Sequence, residues 1–153
     1  MWKSVRWQLR LLGWFRIPMI GFVNPKILEI NTKKASLIIK LRRRTRNHLQ
    51  SMYFGALCVG FDLAAGMLVL YLAELNRYKI SFAFKSVKID FIKRPYSDVV
   101  FDCNEGLKIQ ELLIEAEKSR KRLNKQLQVN SYNLEGELVA TCIIEASVKL
   151  VSK

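Results

Sequence analysis

The chain has 153 residues, half of them hydrophobic and a quarter charged, with no stretch dominated by Gly, Pro, Ser or Gln; this fits one globular domain and excludes a disordered or collagen-like chain. Lys and Arg number 26 against 13 Asp and Glu, a formal charge of +13, so phosphate-bearing molecules, nucleic acid or anionic membranes are the natural partners. Three separated cysteines without a CxxC pair, a single histidine (His48), and the lack of a GxSxG elbow, a P-loop or a dinucleotide-binding glycine pattern argue against a zinc site, a Ser-His-Asp hydrolase and a P-loop or dinucleotide-binding enzyme.

At the N-terminus, Trp2, Val5, Leu9 and Leu12 recur at helical spacing, with Lys3, Arg6, Arg10 and Arg16 among them. A basic amphipathic helix over residues 2 to 16 is predicted, docked on the domain or a sister subunit, with a membrane-surface helix as the rival. Those cations leave no uninterrupted apolar stretch for a secretory signal, so a cytoplasmic location and reduced core thiols at Cys58, Cys103 and Cys142 are expected. Pro18, Gly21 and Pro25 then predict a loop.

Leu37, Ile39 and Leu41 alternate with polar residues, which predicts a first strand over 36 to 42. It leads into the run Arg42, Arg43, Arg44, Thr45, Arg46 and then to Ser51, a suitable N-cap for a helix of about 51 to 77. From Met52 to Ala73 that helix is almost wholly apolar, interrupted only by Asp62 and a few glycines, so it is either membrane-spanning or buried in a core. An Asp near the middle would cost roughly 2.5–3.5 kcal/mol in a bilayer, and the alternating segments that follow need an apolar object to cover, so the buried reading is preferred.

Ile80, Phe82 and Phe84, then Val87, Ile89 and Phe91, then Val99 to Phe101 read as two or three strands. Residues 107 to 123 turn helical, with Asp102 and Glu105 ahead of the segment and Arg120, Lys121 and Arg122 near its end. Leu127 to Ser131 and Leu138 to Leu150 alternate around a turn at Glu135 and Gly136 and predict a closing hairpin. The layout is α+β: one antiparallel sheet wrapped around one long helix, with a short inserted helix. A single domain over 1–153 is expected, with residues 1–25 as an N-terminal helical extension.

The run Asn47-His48-Leu49-Gln50-Ser51-Met52-Tyr53-Phe54-Gly55-Ala56-Leu57, Asp62 seven positions after Gly55, and Asp90-Phe91-Ile92-Lys93-Arg94-Pro95 together resemble the hotdog superfamily. The likeness is to the phenylacetyl-CoA thioesterase-like branch and to a related family of uncharacterised bacterial proteins. In that branch an Asn precedes a His-Gly-Gly at the helix start, and an acidic residue follows two turns on. Asn47, Gly55 and Asp62 match that pattern; Tyr53 stands where it has His, Phe54 where it has the first Gly, and Gln50 where a Gly is common.

The resemblance implies an acyl-CoA thioesterase. Asp62 would be the general base or nucleophile, Asn47 would orient the water or thioester, and the Gly55 N–H at the helix start would hold the developing oxyanion. Met52, Tyr53 and Phe54 would line an acyl pocket or, as the simpler alternative, belong to the core; Ser86 would be a polar helper. Arg44, Arg46, Lys93 and Arg94 would meet the phosphates of coenzyme A, or else form a solvated face. It further implies a homodimer, with a tetramer left open, in which the acid of one protomer serves the thioester held by the other. No cofactor is expected beyond the coenzyme A of the substrate. A non-catalytic acyl or acyl-CoA binding protein is the alternative; nucleic-acid binding is not expected, and membrane-surface contact ranks last.

Overall fold

A computed structural model describes residues 17–152, with the side chain of Ser152 outside the description; the predicted helix over residues 2 to 16 lies outside the described residues. The elements run α1 (Pro18–Val23), β1 (Lys26–Ile30), β2 (Ala35–Ile39), α2 (Phe54–Leu75), β3 (Lys79–Phe91), β4 (Val99–Cys103), α3 (Gly106–Ser119), β5 (Leu123–Tyr132) and β6 (Leu138–Ser152). All six strands form one antiparallel sheet in the order β1-β2-β4-β5-β6-β3.

Helix α2 is apolar on nearly every side because the sheet curls around it. Phe61, Ala64, Ala65, Leu68, Val69 and Leu72 have no solvent exposure. By length and mean hydropathy (2.0) it matches a membrane span, yet two thirds of its most apolar window is buried in the protein, as the buried reading expected. Phe61 meets Phe101 of β4 edge to face, with ring centroids 5.2 Å apart. Gly60 admits that ring, since a β-carbon there would occupy its space. Helix α3 packs beside α2 and against β5 and β6. This sheet around a central helix, with a second helix inserted between β4 and β5, is the hotdog arrangement.

Several local expectations are corrected. Residues 18–23 form a helical turn and a half where a loop was expected, because Pro18 sits at the helix start, where its missing N–H costs nothing. Strand β1 was not anticipated, and β2 ends at Ile39 instead of continuing to 42. Residues 79 to 91 are one strand with a bulge between Phe84 and Ser86. Ser51 is not the N-cap: α2 begins after Tyr53 and has no side-chain cap, while Ser51 is buried and bonded to Asn47. The three cysteines are unpaired, and burial pushes the Cys103 and Cys142 thiols up to about 12, which keeps them protonated and inert.

Candidate active site

The loop before α2 is shaped by Asn47. Its Oδ1 accepts from the backbone N–H of Leu49 (2.9 Å) and Ser51 (3.3 Å) and from the Ser51 hydroxyl (3.2 Å). Its own N–H donates to the Ser51 carbonyl at 2.8 Å. Gln50 takes a left-handed conformation, φ 63°, which explains why a glycine suits that position. Because Oδ1 is spent on the turn, the Asn47 side-chain NH2 is what remains to offer; it donates to no acceptor among the described residues.

Two backbone bonds set this loop against its neighbours. Met52 N–H donates to the Pro95 carbonyl at 3.0 Å, and Tyr53 N–H donates to the Thr45 carbonyl at 2.8 Å. On the far side, Ile92 and Lys93 both donate to the Val139 carbonyl, at 2.9 and 3.0 Å, which turns the end of β3 toward the helix. Between the two segments lies a cleft of about 450 Å³, lined by Asn47, His48, Ser51, Met52, Tyr53, Phe54, Leu57 and the run Phe91 to Pro95.

One wall of the cleft is aromatic: the Tyr53 and Phe54 rings are 4.8 Å apart, and Phe54 meets Phe91 edge to face at 6.5 Å. The charged groups on the lining, Lys93 and Arg94, are both basic. Lys93 is joined to Glu137 at 2.6 Å; that contact, with the Asn133 amide, holds the Glu137 carboxyl below its usual range. Arg94 forms no ion pair with a carboxylate among the described residues. The first-turn N–H groups of Phe54, on the lining, and of Gly55, just behind it, precede the helical hydrogen-bond ladder and have no acceptor among the described residues. The Tyr53 ring lies over Gly55, so close that a β-carbon there would meet it at 2.5 Å.

Of the residues singled out from the sequence, Asn47, Met52, Tyr53, Phe54, Lys93 and Arg94 come together on this lining, and Gly55 sits beneath Tyr53. Met52 is 3% exposed, so it belongs to the core as well as to the cleft. Arg44, Arg46, Ser86 and Asp62 do not line it. Arg44 instead donates to the Phe22 carbonyl, and Ser86 lies exposed on β3 opposite Glu145.

Asp62 is seven residues along α2 from Gly55, roughly 10 Å at the helical rise of 1.5 Å per residue. Its side chain reaches solvent, accepts no hydrogen bond and meets no cation among the described residues. Desolvation by the apolar helix surface around it pushes its carboxyl above the ordinary range; the neighbours one turn away, Cys58, Val59, Ala65 and Gly66, carry no charge.

Sequence reasoning weighed His48 as a loop residue against a base, preferring the loop, and missed Ser51, Leu57, Phe91, Ile92 and Pro95 as lining. The signal for the last three was present in the run from Phe91 to Pro95, apolar, then basic, then a proline that turns the chain.

The family model described as Domain of unknown function (DUF4442) matches residues 6–148. No curated protein matches the chain. Among solved structures, a Pseudomonas aeruginosa protein of unknown function described as a probable thioesterase is 18% identical with a TM-score of 0.80, over 98% of this chain and 96% of that one. A thioesterase from Haemophilus influenzae is 10% identical with a TM-score of 0.68, over 97% and 92%. The PaaI protein from the phenylacetic acid degradation operon of Escherichia coli is 12% identical with a TM-score of 0.63, over 94% and 92%. At these identities the likeness is one of fold, the thioesterase-like hotdog fold.

Proposed function

We propose that this chain, which belongs to the DUF4442 family, is an acyl-CoA thioesterase that hydrolyses its substrate at the start of α2. The observation that carries the reading is the convergence there of an aromatic-walled cleft of about 450 Å³, a basic lip, a free Asn47 amide and free helix N–H groups. An acyl chain would lie against Phe54 and Phe91, the thioester carbonyl oxygen would take the Gly55 N–H, and Lys93 and Arg94 would meet coenzyme A phosphates.

In the reaction, Asp62 takes a proton from water as the water oxygen adds to the carbonyl carbon. The carbon–sulfur bond then breaks, and the departing thiolate takes up the proton Asp62 holds, leaving a free carboxylic acid and coenzyme A and restoring the carboxylate. A carboxylate held above its ordinary range accepts that proton more readily than an exposed one.

Asp62 is off the lining of its own cleft and has no ion-pair partner among the described residues, which supports a homodimer in which it serves the partner's cleft. Strand β3 ends the sheet, and over its 13 residues one edge pairs with no strand among the described residues, the kind of edge a second copy extends by antiparallel pairing. The packed position of Tyr53 over Gly55 favours a second reading, an acyl-CoA binder without turnover.

Thiol release from short, medium, long and aryl acyl-CoAs separates the two. Hydrolysis by the wild type, reduced at least about a hundredfold in Asp62→Asn, is the expected result. Tight binding of acyl-CoA without thiol release in the wild type would instead establish the binder.

A further inference from the structure

We infer that the outer face of α1 and the Arg42–Arg46 turn form a docking surface for an anionic lipid bilayer. Ile20 and Val23 turn α1's inner side into the core, while Met19 and Phe22, three residues apart and so on one face, are 60% and 53% exposed, flanked by Ile17 at 44%. Helix α1 packs on α2, so this apolar face is presented by a fixed element.

The basic half of the surface is fixed as well. Thr45, 1% exposed, donates its hydroxyl to the carbonyls of Lys40 (2.7 Å) and Arg42 (3.2 Å) and accepts from the Arg42 N–H at 2.8 Å. That bonding locks a turn carrying four exposed arginines in five residues. Arg44 joins the halves: it donates to the Phe22 carbonyl at 3.2 Å and stands 5.7 Å over the Phe22 ring.

Among the described residues no carboxylate pairs with Arg42, Arg43, Arg44 or Arg46. A rigid cluster of like charges with no internal counter-charge, on a chain of net charge +13, is complementary to an anionic partner. Exposed Phe and Met beside it select a partner that also takes apolar side chains. A lipid headgroup layer over acyl tails offers both, whereas a nucleic-acid backbone offers the charge alone.

The sequence leading into α1 continues the same chemistry, with Trp2, Trp7 and Trp14 among Lys3, Arg6, Arg10 and Arg16; Trp is favoured at membrane interfaces. Thr45 also accepts from Tyr53, so the docked surface adjoins the start of α2 and would set the cleft beside the bilayer. The inference does not depend on the thioesterase reading.

The test is co-sedimentation of the full chain with vesicles of phosphatidylcholine alone or mixed with phosphatidylglycerol, at low and high salt. Binding to the anionic vesicles only, weakened by salt and at least about tenfold weaker in Arg42→Gln/Arg43→Gln/Arg44→Gln and in Met19→Ser/Phe22→Ser, is expected. A fluorophore on Phe22→Cys should shift to the blue when anionic vesicles are added. No binding by the wild type overturns the inference, as does undiminished binding by either variant. A label already blue-shifted and unmoved by vesicles also overturns it, since the face would then be covered by the chain itself; so does loss of RNA retention in the arginine variant while vesicle binding is kept.

Discussion

Asp62 carries an ionisable group on a largely apolar helix, and no cation among the described residues pairs with its charge. Desolvation raises its carboxyl above the ordinary value of 3.8, so the folded chain holds that proton more tightly than the unfolded chain does. The resulting stabilisation is complete below the unfolded value and is lost as pH rises through the raised folded value. Asp62→Asn is therefore expected to melt at a higher temperature than wild type at pH 7 and at the same temperature near pH 3. Thermal melts at the two pH values check this; a lower melting temperature for the variant at pH 7 would mean that the carboxylate has a stabilising partner. At this scale the sequence was informative about residue types and less so about partners. Asn47 was singled out from its spacing to Gly55 and Asp62 and does line the cleft, but the sequence did not show that its side-chain oxygen holds the turn and leaves its NH2 without an acceptor among the described residues. Gln50 drew notice as a departure, and its positive φ supplies the reason.

Periodicity served the elements best where one environment surrounds a segment for its whole length. Helix α2 stood out because 22 residues with one Asp and one Glu match only a buried or membrane helix, and β6 because its buried residues alternate from Cys142 to Leu150. It failed where geometry breaks the period. The bulge between Phe84 and Ser86 shifts the apolar residues from even positions (Ile80, Phe82, Phe84) to odd ones (Val87, Ile89, Phe91), so one strand reads as two. Another irregularity, between Ile27 and Glu29, hid β1, whose apolar residues fall at 27, 28 and 30. Helix α3 depends on a contact that sequence does not reveal: Gly106 N–H donates to the Lys33 carbonyl at 2.9 Å, and a β-carbon at 106 would collide with backbone atoms of Thr32 and Lys33 in the β1–β2 turn. Backbone cannot yield as a side-chain tip can, so Gly106→Ala is expected to cost about 1–3 kcal/mol. Urea denaturation measures it; unchanged stability would show that the turn moves freely away from α3.

For the whole molecule, one fold assembles features that neither the residues nor the elements hold alone. The antiparallel sheet wrapped about a central helix was legible because the order of elements leaves few ways to cover so apolar a helix. The cleft was only half legible, since it forms where the Asn47–Met52 loop and the Phe91–Pro95 run, some forty residues apart in the chain, are tied by the bond from Met52 to Pro95. Nor does a single chain bring Asp62 to the cleft lining, so the proposed hydrolase calls for a second copy, proposed to join at the edge of β3 that pairs with no strand among the described residues. The decisive measurement is thiol release from acyl-CoA by Asp62→Asn and Asn47→Ala proteins, each alone and after dissociation and reassociation as a mixture. Each variant alone should be inactive. The mixture should regain activity, because a mixed dimer unites an intact Asn47 cleft with an intact Asp62 from its partner. Inactivity of the mixture beside an active wild type would contradict the shared site, and absence of thiol release from the wild type itself would contradict the hydrolase.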